Sequence, residues 1–236
     1  MSSTLFISDL HLDADRPELT RALARFLTQH AHCHGLYILG DLFEAWIGDD
    51  DDAELALEVQ SLLRGFSSKG TPLYFMRGNR DFLVGDTFAN NTGAILLGDP
   101  TIIDLYGTPT LLMHGDTLCT DDRDYQVFRA RVRSPGWQRQ VLEQALQQRR
   151  ELAQQLRQDS GAATTGKPVA IMDANPTAIA ETMREYGVRQ LIHGHTHRPG
   201  SHEEVFGRRW VLGDWDQSGW FLKAQPGKIE LENYII

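Results

Sequence analysis

Five short motifs in this 236-residue chain combine carboxylate, amide and imidazole side chains, and each stands where an apolar run stops. SDLH puts Asp9 and His11 two residues apart, which in extended chain sends both side chains to one face. GD supplies Asp41, GNRD supplies Asn79 and Arg80, and MHGD supplies His114. HGHTH supplies His195 and His197, again two apart. Any one of these is ordinary: an Asp after a strand usually forms a turn, and a lone His is usually structural. Together they give seven oxygen and imidazole donors and no thiolate. That set suits Mn²⁺, Fe²⁺ or Zn²⁺, with Mg²⁺ less at ease beside several histidines. Seven donors exceed one tetrahedral ion and match two ions sharing a carboxylate. Such ions, about 3.5–4 Å apart, clamp a phosphoryl group and make a bound water acidic. The expected reaction is hydrolysis of a phosphate ester or anhydride. His193, earlier in its strand than its two neighbours, reads as structural.

The elements that must position these donors alternate at first. Thr4–Ser8, Leu36–Leu39 and Pro72–Met76 read as strands. Pro17–Gln29 and Ala53–Phe66 carry apolar residues at helical spacing, with Pro17 suited to a first turn. Strand, helix, strand, helix, strand predicts a largely parallel sheet covered by helices. Ligand crevices in such sheets border the carboxyl ends of the strands, where the motifs stand. Further on, Ile95–Leu97, Ile102–Tyr106 and Thr110–His114 lie close together, the last two joined by a turn at Gly107-Thr108-Pro109. Leu191–His193, then Val205–Leu212 turning at Gly207, Trp220–Lys223 and Lys228–Leu231 complete the pattern. A second, more antiparallel sheet is expected from these segments.

The stretch from Asp121 to about Lys167 has a different character. Tyr125, Phe128 and Val132 mark an amphipathic helix that ends at Ser134-Pro135-Gly136. A long helix is expected over Trp137–Gln158, then a flexible loop, DSGAATTGKP. Arg123, Arg129, Arg131, Arg133, Arg139, Arg149, Arg150 and Arg157 make this a basic island in a chain of net charge −9. It reads either as a solvated helical hairpin or as a cap near an anionic ligand or membrane headgroups. The overall acidity argues against nucleic acid as a partner, because phosphate neutralisation dominates that binding. Nothing points to an obligate protein partner. Cys33 and Cys119 lie far apart without metal spacing, so a reducing cytoplasm is expected and Cys119 reads as a small buried residue. The opening MSSTLFISDLHLD lacks the basic start and long apolar region of a secretory leader. Asp49–Asp52 reads as an acidic loop favoured by the dipole at a helix start. Trp210, Trp215 and Trp220 read as packing residues.

The order D-x-H, GD, GN, H, GHxH, running from Asp9 to His197, resembles the calcineurin-like metallophosphoesterases. That resemblance implies an α/β fold, a sandwich of two mixed β-sheets flanked by α-helices. It implies one ion held by Asp9, His11, Asp41 and His197, and a second held by Asp41, Asn79, His114 and His195. The segments GDLFEAWIGDD, GNRDFL, HGDTLCTDD and IHGHTHRP are similar to a branch of that family acting on acylated UDP-sugars in lipid A synthesis. The branch implies two Mn²⁺ ions and peripheral attachment to the cytoplasmic face of the inner membrane. It also implies one domain over 1–236 with a helical cap inserted at about 121–168. Substrate-binding positions carried over are Asn79, Arg80, Asp122, Ser160, Thr164, Lys167 and His195.

One residue departs from the general family pattern, G-N-H-[DE]: Arg80 replaces the histidine that helps protonate an alkoxide leaving group. Arginine cannot give up a proton, but it grips phosphate oxygens well. A departing phosphate does not require protonation. Arg80 is therefore expected to be catalytic, steadying the anion released from a pyrophosphate. Two rivals remain open. One is a metallophosphoesterase of other specificity, a phosphodiesterase or nucleoside-diphosphate-sugar hydrolase. The other is an inactive scaffold, which is expected to have lost donors, whereas all seven are present.

Overall fold

The computed structural model describes residues 3–164, 166–168 and 171–236, and the side chains of 163 and 164 lie outside that description. The first half runs β1 (Thr4–Ile7), α1 (Pro17–Gln29), β2 (Gly35–Ile38), α2 (Glu54–Ser67), β3 (Leu73–Met76), α3 (Asp86–Thr92), β4 (Ala94–Leu97), β5 (Thr101–Leu105) and β6 (Thr108–Met113). A 3₁₀ turn at Asp116–Leu118 leads into α4 (Arg123–Val132), α5 (Pro135–Leu142) and α6 (Leu146–Thr164). The chain ends with α7 (Pro176–Glu185), β7 (Gln190–His193), β8 (Gly200–Glu204), β9 (Gly207–Val211), β10 (Ser218–Gln225) and β11 (Lys228–Ile235).

Two mixed sheets form, in strand orders β11-β10-β1-β2-β3-β4 and β5-β6-β7-β9-β8. The period-2 alternation of each strand builds three apolar layers. In β1, Phe6 points between the sheets while Leu5 and Ile7 point out under α1 and α2. In β6 and β7, Leu112 and Ile192 face inward, and Leu111, Met113 and Leu191 face outward against Ile179 and Met183 of α7. The α/β sandwich expected from the motifs is the one observed. The strands β1, β2 and β3 are mutually parallel, as are β6 and β7. All five motif-bearing strands therefore end along one rim of the sandwich.

Several expectations about individual segments are corrected. Ile95–Leu97 belongs to the first sheet, because α3 carries the chain over to pair β4 parallel with β3. The last two strands also join the first sheet: β10 lies antiparallel to β1, with Phe6 opposite Leu222. The turn between β5 and β6 is Tyr106-Gly107, both at positive φ, so Thr108 and Pro109 already belong to β6. Val205–Leu212 is not one segment, since β8 begins at Gly200 and the chain turns between Glu204 and Gly207.

The long helix expected over Trp137–Gln158 is two helices. A local cap and a tertiary contact mark the break: Gln148 Oε1 accepts the Ala145 amide just before α6. The Arg149 guanidinium donates to the carbonyl of Gln144 at 3.1 Å and to that of Ile47 at 2.8 Å, fixing the bend. Conversely, the loop expected after Gln158 is helical as far as Thr164, with Gly161 inside it at the usual modest cost. Trp210 and Trp215 are buried, and Trp215 Nε1 donates to the Trp220 carbonyl, so the tryptophans pack as expected. Cys119 is buried and both cysteines are free. No helix among the described residues is long and apolar enough to cross a membrane.

Candidate metal centre and its cap

Five of the seven expected donors have left-handed backbone: Asp9 (φ 56°), His11 (48°), Asp41 (53°), His195 (67°) and His197 (54°). Non-glycine residues rarely hold that conformation, and it concentrates at functional sites. It turns each side chain sharply over the strand end that precedes it. The glycines of the motifs permit the resulting crowding. A Cβ on Gly78 would overlap Asp41, and one on Gly40 would stand 2.7 Å from His114 Nδ1.

The donors assemble into two adjoining groups. Asp9, His11 and His197 offer atoms within 4.8 Å of one another, and so do Asp41, His114 and His195. Asn79 Oδ1 joins the second group at 2.8 Å from His114 Nε2. Asp41 faces both, with Oδ2 3.9 Å from His11 Nε2 and Oδ1 3.8 Å from His114 Nε2. All seven residues chosen on sequence grounds thus converge. His193 does not; it is buried, accepts from Arg209 at 3.1 Å and donates to the Gly194 carbonyl at 2.9 Å. Burial, with Arg209 beside it, pushes its imidazole down to about 3, so it stays neutral.

A set of supporting residues without a spacing signature orients the donors. His114 Nδ1 donates to the Leu39 carbonyl at 2.9 Å, leaving Nε2 free to ligate. The His195 amide donates to Asp9 Oδ2 and the Arg80 amide to Asp41 Oδ1. Glu44 Oε2 lies 2.8 Å from His11 Nδ1, and Asp214 Oδ2 lies 3.5 Å from His197 Nδ1. Asp81, buried, accepts the amides of Leu42 and Gly78 and so ties the GD and GN loops together. Burial and the charge of Asp41 push its carboxyl up to about 6. Of these supporting carboxylates, Asp81 and Glu44 stood inside quoted segments and Asp214 did not.

The donors fit divalent ions. Asp9 Oδ1 is buried with no hydrogen-bond partner, and the Nε2 atoms of His11 and His197 meet at 3.2 Å, where only one can carry a proton. Without ions, protons balance the carboxylates. Burial lowers the His114 imidazole, but Asp41, Asp116 and Asp9 outweigh it and hold it near about 9. Burial likewise opposes charge on His197, and Asp214 and Asp9 raise it to about 10. Burial and the His114 charge depress His195 to about 4. An ion must displace the protons on His114 and His197. Divalent-ion titrations in buffers of different ionisation enthalpy are expected to count about two protons released near neutral pH. The apparent affinity for each ion should then rise by up to about tenfold per pH unit, one proton being displaced in each group. An affinity unchanged between about pH 6.5 and about pH 8.5 would contradict this. The sign for metal-free protein is opposite. Stabilisation from the raised histidines is complete below 6.5 and is lost as pH rises through about 9 and 10.

Beside the donors, α4, α5 and α6 close over a cavity of about 380 Å³. Its walls are mainly apolar, including Trp46, Phe82, Leu83, Phe128, Trp137 and Leu152. Asn79 and Arg80 line the same cavity, which therefore abuts the second donor group. Among the carried-over substrate residues, Asp122, Ser160 and Lys167 line it too. Asp122 caps α4 through the Tyr125 amide and pairs with Lys167 Nζ at 2.8 Å. The Thr164 side chain lies outside the described residues, and His195 lies instead among the metal donors.

The basic island is mostly neutralised by the body of the protein. Arg149 forms a fork on Asp50 at 2.5 and 2.7 Å, and Arg150 reaches Asp51 and Asp52. The acidic loop before α2 therefore clamps the cap, with Asp49 turned to the amides of Gly85 and Phe88 at the start of α3. Asp51 also accepts the Ala53 amide at the start of α2, where the acidic loop was expected to act. Arg129 pairs with buried Asp116, Arg133 donates to the Gly78 carbonyl, and Arg157 reaches Asp13 and Glu44. Arg123, Arg131 and Arg139 remain exposed.

A profile of calcineurin-like phosphoesterases matches residues 2–199. A Cellvibrio japonicus protein named UDP-2,3-diacylglucosamine hydrolase is 52% identical over 239 residues, covering 99% of this chain and 100% of that protein. A Marinobacter nauticus protein of the same name is 51% identical over 231 residues, covering 96% and 95%. Among solved structures, an archaeal phosphodiesterase aligns with TM-score 0.52 at 10% identity over 99% of each chain, a likeness of fold alone.

Proposed function

The chain belongs to the calcineurin-like phosphoesterase family, metal-dependent hydrolases, and from that premise we propose that it hydrolyses UDP-2,3-diacylglucosamine. Water attacks the UMP-side phosphorus, and the products are UMP and 2,3-diacylglucosamine 1-phosphate (lipid X), a step of lipid A synthesis. The observation that carries this reading is the apolar cavity that meets the donor groups at Asn79 and Arg80. A phosphodiesterase of small substrates has no use for that cavity; an acylated sugar does.

The whole chain is read as one domain with the cap inserted at about 121–168. Asp9, His11, Asp41 and His197 would hold one ion, and Asp41, Asn79, His114 and His195 the other; the donor set suits Mn²⁺, Fe²⁺ or Zn²⁺, and Mn²⁺ is the ion that the resemblance to the lipid A branch implies. Such a pair supplies Lewis acidity at the phosphoryl oxygens and a water acidic enough to attack near neutral pH. Around it the protein's own groups bind and orient. Asn79 and His195 border the reacting phosphoryl group from the second donor group. Arg80 meets the departing sugar phosphate. Asp122, Ser160 and Lys167 form the polar side that takes the glucosamine, the aromatic walls take the acyl chains, and Thr164 is a further substrate position by resemblance. Arg123 and Arg139, with exposed Val127, suit the anionic cytoplasmic surface of the inner membrane.

The test is UMP release with Mn²⁺ from diacylated and deacylated UDP-glucosamine, the former presented in anionic vesicles at low and high salt. Each buried methylene contributes about 0.8 kcal/mol, so even three or four give roughly 10²-fold in kcat/KM. The diacylated substrate should be preferred by at least that factor, and vesicle-bound turnover should fall with salt. Equal rates for both nucleotides would overturn the assignment.

A further inference from the structure

Glu44 stands where three parts of the molecule meet. Its backbone is fixed, because its amide donates to the Leu12 carbonyl at 3.0 Å beside the Leu12–Phe43 bridge. Its carboxylate is divided. Oε2 lies 2.8 Å from His11 Nδ1, in the first donor group. Oε1 lies 3.2 Å from Arg157 Nε on α6 and 3.9 Å from the Arg80 guanidinium. Arg157 makes a second contact, Nη1 to Asp13 Oδ2 at 3.0 Å, two residues beyond His11. Arg157 thus touches no donor, yet it is one side chain away from His11.

We propose that Glu44 is a positioning residue that couples ion binding at the Asp9/His11/His197 group to docking of the cap helix α6. This rests on the reading of that group as a metal site. A carboxylate on Nδ1 fixes the His11 ring and leaves Nε2 for the ion. The same carboxylate holds Arg157, so a ring locked by the ion holds Glu44 in the position that seats α6. By linkage, a seated α6 strengthens ion binding at the first group by the same factor. The second group, whose residues make no hydrogen bond or ion pair with Glu44 or Arg157 among the described residues, is the internal control.

Free Mn²⁺ followed by electron paramagnetic resonance, without substrate, counts both ions on metal-stripped protein. Glu44→Ala should weaken one ion about 10- to 100-fold, the usual cost of losing a partner behind a ligand. The other ion should be unaffected. Arg157→Ala should weaken the same ion by about fivefold, the low end of site-to-site coupling. Glu44→Gln keeps an acceptor for His11 but no charge for Arg157, so it should match Arg157→Ala rather than Glu44→Ala. Mn²⁺ should also slow tryptic cleavage within the cap of the wild type and not of Glu44→Ala. Wild-type affinity for both ions in Arg157→Ala and Glu44→Gln overturns the coupling. Equal weakening of both ions overturns it too, as a general loss of structure. Wild-type protein that takes up no Mn²⁺ overturns the metal reading itself, a result distinct from either.

Discussion

Asp41→Asn is expected to lower phosphoester hydrolysis by at least about 10³-fold and to leave the purified protein short of metal. Asp41 is the one donor aimed at both groups, Oδ2 toward His11 and Oδ1 toward His114. An amide of the same shape keeps the packing but removes the charge that a shared ligand brings to two cations. Several kcal/mol of charge stabilisation at the phosphoryl group goes with it, which sets the minimum fold-change. The fold should survive. Asp81 ties the GD and GN loops through the Leu42 and Gly78 amides, and an asparagine at 41 still offers its Oδ1 to the Arg80 amide. Metal content by plasma emission, steady-state rates and circular dichroism on the same preparation decide the matter. A folded variant with its metal and near-normal turnover would remove the basis for a shared-carboxylate centre. His193→Ala is the control that should not empty the site, since its ring faces Arg209 and not the donors.

The metal centre was legible because its chemistry lies in residue types at strand ends. Asp9, Asp41, Asn79, His114 and His195 each follow an apolar run, and parallel pairing of β1, β2 and β3 brings such ends to one rim. What was not legible depends on partners distant in the chain. Nothing in Trp220–Lys223 says that it pairs with β1 rather than with the neighbouring second sheet, because a hairpin carries no record of which edge it joins. The bend between α5 and α6 sits in a run of good helix formers, where Arg149 reaches the Ile47 carbonyl and Asp50 while Gln148 accepts the Ala145 amide. The arginines of the cap looked unbalanced for the same reason. Their acids are Asp13, Glu44, Asp50, Asp51, Asp52 and Asp116, all outside the segment. Glu44 and Asp214 support His11 and His197 without any spacing that marks them. The apolar cavity was out of reach too, since its wall is assembled from the GD loop, the GN loop and three helices at once.

Arg80→Ala is expected to reduce kcat on UDP-2,3-diacylglucosamine by about 10²–10³-fold, the cost of removing one preorganised donor aimed at developing charge. The main chain of Arg80 is fixed by its amide on Asp41 Oδ1 at 2.8 Å. Its Nε is buried with no hydrogen-bond partner, and the nearest carboxylate, Glu44, stands 3.9 Å from the guanidinium. A buried cationic N–H left unpaired is costly unless an anion completes it. The guanidinium cannot act as a proton donor, so its contribution must be charge and geometry. That suits a leaving group which is itself a phosphate, titrating near about 6 and able to depart unprotonated. Arg80→Lys should recover part of the loss, because it restores the charge but not the planar fork. The deciding comparison is the 4-nitrophenyl ester of UMP, whose leaving group carries no phosphate for Arg80 to hold. Arg80→Ala should cost this ester much less than it costs the pyrophosphate. Equal losses on the two substrates would move Arg80 away from the departing group, and near-normal turnover of the pyrophosphate would remove it from catalysis altogether.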